Sequence, residues 1–122
     1  MIETELVDIL QGFTENVYPS VQEKTTYPAI VYQQVGGPRV RSHSGTALIH
    51  PLYQVSVYGV TSASAKGLAR DIGNYLDCYK GTDLLVVFVE NEIDDYFPDS
   101  APPLYRTILS VRIWCREEAY SS

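Results

Sequence analysis

Ile2, Leu6, Ile9, Leu10 and Phe13 recur at helical spacing and mark one apolar stripe. Glu3, Glu5 and Asp8 lie near the start of this stripe, where negative charge suits the helix dipole, and Gly12 and Pro19 bracket its end. A helix is expected from about Ile2 to Phe13. The period then shortens. Tyr27 to Val35 reads as a strand, with Pro28 tolerated at its start and Gly36, Gly37 and Pro38 ending it. From about Leu48 to Tyr58, Tyr53, Val55 and Val57 alternate with Gln54 and Ser56, the pattern of a strand with one dry and one wet face. Pro51 predicts an edge position or a bulge early in that strand.

After Gly59, Thr61 or Ser62 is a good N-cap for a second helix. Its stripe is Ala65, Leu68, Ala69, Ile72 and Leu76, with Lys80 and Gly81 as stop signals. Gly67 and Gly73 weaken it by about 1 kcal/mol each relative to alanine, which suggests close approach to the sheet or to a neighbouring subunit. Leu84 to Val89 is a continuous apolar run, read as an inner strand buried on both faces. Tyr105 to Trp114 alternates Arg106, Ile108, Ser110 and Arg112 with Thr107, Leu109, Val111 and Ile113, a long final strand.

These elements predict one α+β domain over 1–122: a four-stranded, mainly antiparallel sheet built from two hairpins, with two helices packed on one face, in the order αββαββ. Long loops are expected at about 36–47 and 91–103, and a frayed tail at about 117–122. The loops differ in charge. Arg39, Arg41 and His43 lie in the first, and Glu90, Glu92, Asp94, Asp95 and Asp99 lie in or beside the second.

Composition narrows the function classes. The 122 residues carry 15 acidic and 9 basic side chains, a net charge of −6, which argues against binding to nucleic-acid phosphates. An apolar content of 45% is ordinary for a globular domain, and no run approaches the ~20 residues of a membrane span. Cys78 and Cys115 do not form a disulfide framework, and the N-terminus has no basic start or apolar stretch. The reading is a cytosolic protein with reduced thiols.

No catalytic constellation emerges. His43 and His50 lack the partners of a zinc site, since neither cysteine belongs to a Cys-x-x-Cys pair. Cys78 falls at a helix C-terminus, away from the positive field that activates a nucleophilic thiol. Glu90, Glu92 and Asp94 would share a face of an extended strand and could hold Ca²⁺ or Mg²⁺, but no EF-hand-type loop accompanies them, and a solvated acidic face is the plainer reading. Phosphate-cradling glycine motifs and the Gly-x-Ser-x-Gly nucleophile elbow are absent. The ten tyrosines are scattered, as expected for sheet packing and partner contacts.

The segment from Tyr27 to Gln33, the return strand from Tyr53 to Gly59, the following helix with Ala65, Leu68, Ala69 and Ile72, and the late strand Tyr105 to Trp114 resemble the tail completion proteins of long-tailed bacteriophages. That family is related to tail terminator and head–tail joining proteins. The resemblance implies a virion structural protein, built in the host bacterial cytoplasm. It implies a ring, usually of six copies, that caps the tail tube, stops its polymerisation and joins it to the head–tail connector protein. DNA passes through the lumen of such a ring without specific binding. It also implies no catalysis, no cofactor, no metal and no membrane. The alternative is a small cytosolic ligand-binding or regulatory domain with a pocket between sheet and helices. In a ring, each subunit meets its neighbour through two different surfaces. Arg39, Arg41 and His43 of one copy are expected to face Asp94, Asp95, Tyr96, Phe97 and Asp99 of the next, with charge setting orientation.

Overall fold

The computed structural model describes residues 2–19, 27–36, 48–99 and 103–116. Its element order is α1 (Ile2–Gln11), β1 (Val17–Tyr18), β2 (Ala29–Gly36), β3 (Leu48–Ile49), β4 (Leu52–Gly59), α2 (Ser62–Leu76), β5 (Val86–Phe97) and β6 (Leu104–Arg116). The four-stranded αββαββ expectation is corrected: a curled, mixed sheet of six strands runs through the order αββββαββ. Strands β1, β2, β4 and β6 are successive neighbours, and β6 also pairs with β3 at its far end and with β5 along its length. Among the described residues no helix is long and apolar enough to cross a membrane.

The two added strands have local causes. Strand β1 runs parallel to β2, Val17 opposite Ile30 and Tyr18 opposite Val31, and the amide of Ile30 donates to the carbonyl of Asn16 at 2.8 Å. The Asn16 side-chain amide donates to the Pro28 carbonyl at 3.2 Å. Two residues are too few to leave a periodic signal in sequence. Strands β3 and β4 are the expected second strand split at Pro51. Leu48 and Ile49 lie opposite Arg116 and Cys115, and Leu52 lies opposite Arg112. The Ile113 amide donates to the Pro51 carbonyl at 3.0 Å, which keeps β6 attached across the break.

Helix α1 stops two residues earlier than expected. Gly12 and Phe13 donate to the carbonyls of Ile9 and Leu10 at 3.1 and 3.0 Å, a tightened last turn. Both carboxylate oxygens of Glu5 accept backbone amides, from Thr82 at 2.8 Å and Leu84 at 2.7 Å, so α1 holds the turn that feeds β5. Helix α2 is capped as expected: the Thr61 hydroxyl accepts the Ser64 amide at 3.0 Å.

One cluster fills the space between sheet and helices. Ile2, Leu6 and Leu10 of α1 and Ala69, Ile72 and Leu76 of α2 meet Tyr53, Val55 and Val57 of β4 and Leu109, Val111 and Ile113 of β6. The Tyr53 hydroxyl donates to Glu3 at 2.9 Å, so its polar end is bonded where its ring is buried.

The largest revision concerns β5. Val86–Phe97, which takes in most of the expected inner strand at Leu84 to Val89 and the first half of the expected loop at 91–103, is one twelve-residue strand paired only with β6. It is an edge strand, and only Val87 within it is fully buried. Acidic residues read as loop in sequence, yet an exposed edge tolerates them and gains protection against unwanted strand pairing. The other edge of its first half is covered by the segment after α2. Cys78 donates to Val87 at 2.7 Å, Val87 donates to Tyr79 at 3.0 Å, and Val89 donates to the Asp77 carboxylate at 3.1 Å.

The glycines of and before α2 differ in what surrounds them. A Cβ on Gly59 would lie 2.9 Å from the Ala65 backbone nitrogen, so α2 enters directly against β4. A Cβ on Gly67 would meet nothing within 4 Å, and one on Gly73 would make an ordinary 3.9 Å contact with Leu109. Neither helix glycine is required by packing against the sheet. Gly67→Ala is expected to stabilise the isolated protein by up to about 1 kcal/mol, while Gly59→Ala is expected to destabilise it by about 1–3 kcal/mol, as read by denaturant unfolding.

Candidate functional site: the outward sheet face and its acidic edge

The residues singled out in β5 divide between two faces. Leu109, Val111 and Ile113 point to the core, so Ile108, Ser110 and Arg112 point away from the helices. Cross-strand partners share a face. Phe88 opposite Arg112, Ile93 opposite Ile108, Asp95 opposite Arg106 and Phe97 opposite Leu104 therefore line the outward side. Asp94 and Tyr96, opposite Thr107 and Tyr105, lie on the helix side.

A bulge produces this division. Val89 lies opposite Val111 and Asn91 opposite Ser110, which leaves Glu90 as the extra residue. Glu90 reaches Arg112 on the outward side at 3.3 Å. Glu92 and Asp94 fall on the opposite side, so the three carboxylates expected on one face do not converge. Among the described residues no group of His, Cys, Asp and Glu is placed to hold a metal ion.

Two of the outward arginines, Arg106 and Arg112, are occupied within the chain. Arg106 pairs with Asp95, its Nε donating to Oδ2 at 3.1 Å and its Nη2 forming a still shorter ion pair with the same oxygen. Its guanidinium lies 5.0 Å from the Phe97 ring centre and 5.8 Å from that of Tyr58, and those rings stack at 6.5 Å. Burial alone would lower the Arg106 pKa; the hydrogen bonds with Asp95 and Tyr58 outweigh it and raise the value, so this arginine stays charged. Arg112 donates to the His50 carbonyl at 3.1 Å as well as to Glu90. His50 packs on Trp114 with ring centres 4.7 Å apart. Beside polar Gln54, Ser110 and Asn91, this face leaves large apolar side chains open. Phe88 is 41% exposed and Ile93 47% exposed.

On the helix side, Asp94 ties the distal half of β5 to the first turns of α2. It accepts from the Thr107 hydroxyl at 3.0 Å and pairs with Lys66 at 3.0 Å. The hydrogen bond from Lys66 is the main reason its pKa falls below the ordinary value; burial opposes the shift, and Thr107 adds to it. Tyr96 stacks on Tyr105 at 4.6 Å. Asp99 lies exposed in the turn after β5. Arg39, Arg41 and His43 lie outside the described residues, so of the expected pairing of basic and acidic loops only the acidic half falls among them. That half is strand rather than loop up to Phe97.

Sequence reasoning missed Phe88, Ile93, Arg106 and Tyr58 as surface-forming residues. The alternation of Arg106, Ile108, Ser110 and Arg112 was a usable signal, but their partners follow only from register. Burial, with a smaller contribution from the Asp83 charge, pushes the Cys115 thiol up to about 11, and Cys78 sits exposed at a φ of 62°.

No protein-family model and no curated protein sequence matches the chain. Among solved structures, its fold is similar to that of a chain in the virion of a native gene transfer agent particle, with a TM-score of 0.58 and 16% sequence identity over 88% of this chain and 84% of the other. At that identity the likeness is one of fold.

Asp94 gives a pH test. Its folded pKa is lowered, so its contribution is fully present above the unfolded value of about 3.9 and lost as pH falls through the lower folded value. The pair is largely solvent-exposed, which limits the contribution to at most about 1 kcal/mol. Wild type and Asp94→Asn should differ in Tm by a constant amount above roughly pH 5 and converge at more acid pH.

Proposed function

We infer that this chain is a structural subunit of a phage-like virion and that it works in the neck. In this reading copies form a ring, six in number, which caps the tail tube, halts its growth and joins it to the head–tail connector, leaving a lumen for DNA. It performs no catalysis and carries no cofactor. The observation that carries the reading is the shared fold over 88% of the chain with a component of a gene transfer agent virion. The outward sheet face adds to it. Assembly subunits need a surface whose charges are already matched and whose apolar side chains are open, and Phe88 and Ile93 flanked by the Arg106–Asp95 and Arg112–Glu90 pairs supply one.

The ligand-binding alternative calls for an enclosed pocket between the layers. Among the described residues that space is occupied by side chains with no solvent exposure, including Leu6, Leu10, Val55, Ile72 and Val111. The acid surplus suits a lumen past which DNA moves without sticking.

Two measurements test the proposal. Deleting the gene should leave heads and tails unjoined, or tails of uncontrolled length, by electron microscopy; normal virions would sink it. Replacing Phe88 and Ile93 together by glutamate should leave stability within about 1 kcal/mol of wild type, since both side chains are exposed, while abolishing ring formation on tail ends.

A further inference from the structure

On the helix layer, away from the outward sheet face, an open groove of about 400 Å³ runs between the end of α1 and the end of α2. Phe13, Tyr75 and Tyr79 line it together with Asp8 and Glu5. The Phe13 and Tyr75 ring centres are 5.9 Å apart at near-perpendicular planes, and those of Tyr75 and Tyr79 are 5.6 Å apart. A cation interacts with an aromatic ring within about 6 Å of its centre, so one charge seated here can reach more than one ring at once.

The groove is also built rather than incidental. Glu5 is fixed by the amides of Thr82 and Leu84, and Tyr79 is held through its backbone to Leu76 and Val87. A Cβ on Gly81 would lie 2.7 Å from both the Glu5 carboxylate and the Tyr79 ring, so the turn is glycine where these two side chains close over it. Tyr75 is nevertheless 53% exposed, a large ring left uncovered at the rim. Asp8 is exposed and makes no hydrogen bond or ion pair among the described residues. Burial, then the charge of Glu5, then Tyr75 raise the Tyr79 hydroxyl pKa, which agrees with a negative field in the groove.

The geometry points to a docking site for an arginine side chain presented by a second protein. A guanidinium is planar and weakly hydrated, so it stacks on aromatic rings while donating to a carboxylate. Tyr75 supplies the exposed ring and Asp8 the free acceptor, in a chain whose net charge of −6 favours a basic partner. Its residues lie on α1, α2 and the turns that follow them, away from the outward sheet face proposed above as an assembly surface.

The test is a titration of isotope-labelled full-length protein with N-acetyl-arginine amide, and in parallel with its neutral isostere N-acetyl-citrulline amide, followed by amide chemical shifts. Saturable shifts confined to residues around 9–13 and 74–79 are expected with arginine, and at least about fivefold weaker binding with citrulline. Tyr75→Leu should weaken arginine binding by about two- to fivefold, and Asp8→Asn by a similar factor, with melting curves unchanged because both side chains are exposed. Equal response to the two ligands, shifts spread over the acidic residues of β5 instead, no saturation, or unchanged affinity in both variants would each overturn the proposal.

Discussion

Strand β6 is the constraint on which the rest depends. It is hydrogen-bonded along one edge to β4 and along the other to β5, so two ladders fix the face of each of its side chains. Leu109, Val111 and Ile113 go to the helices, and Ile108, Ser110 and Arg112 go outward. A one-residue slip would bring arginines into the core and expel its largest aliphatic residues. The cluster that α1 and α2 cover is a consequence of that register.

The same register distributes charge. The acids of β5 are not a free negative patch. Asp95 is held by Arg106 and Glu90 by Arg112 on the outward side, while Asp94 is held by Lys66 on the other. Exposed pairs of this kind add little to stability, and their effect here is on surface character. They neutralise two positive charges on a face that also exposes Phe88 and Ile93 along its edge strand. Asp8, which makes no ion pair among the described residues, lies in the aromatic groove on the helix layer.

Both helices and the alternating strands β4 and β6 were legible in sequence, because their apolar periods extend over many residues. Strands β1 and β3 were not, since each has two residues and owes its pairing to partners distant in the chain. The edge strand β5 was misread for a physical reason. Its distal half is acidic, as loops often are, and an edge strand keeps such residues in water. Asp94, Asp95, Tyr96 and Phe97 were singled out together, yet adjacent strand residues point to opposite sides, so they lie on two surfaces rather than one. The arginine that organises Asp95 and Phe97 could be found only once Arg106 was known to lie opposite Asp95.

The extra residue at Glu90 has a bearing on how this chain can vary over evolutionary time. Beyond it, odd-numbered positions look outward; were Glu90 instead paired in an unbroken ladder, every later residue would move one place along β6, carrying Ile93 and Phe97 under α2 and lifting Asp94 away from Lys66. Length changes between Asn91 and Phe97 are therefore tolerable in pairs of residues and ruinous singly, so related chains should differ there by even steps or not at all.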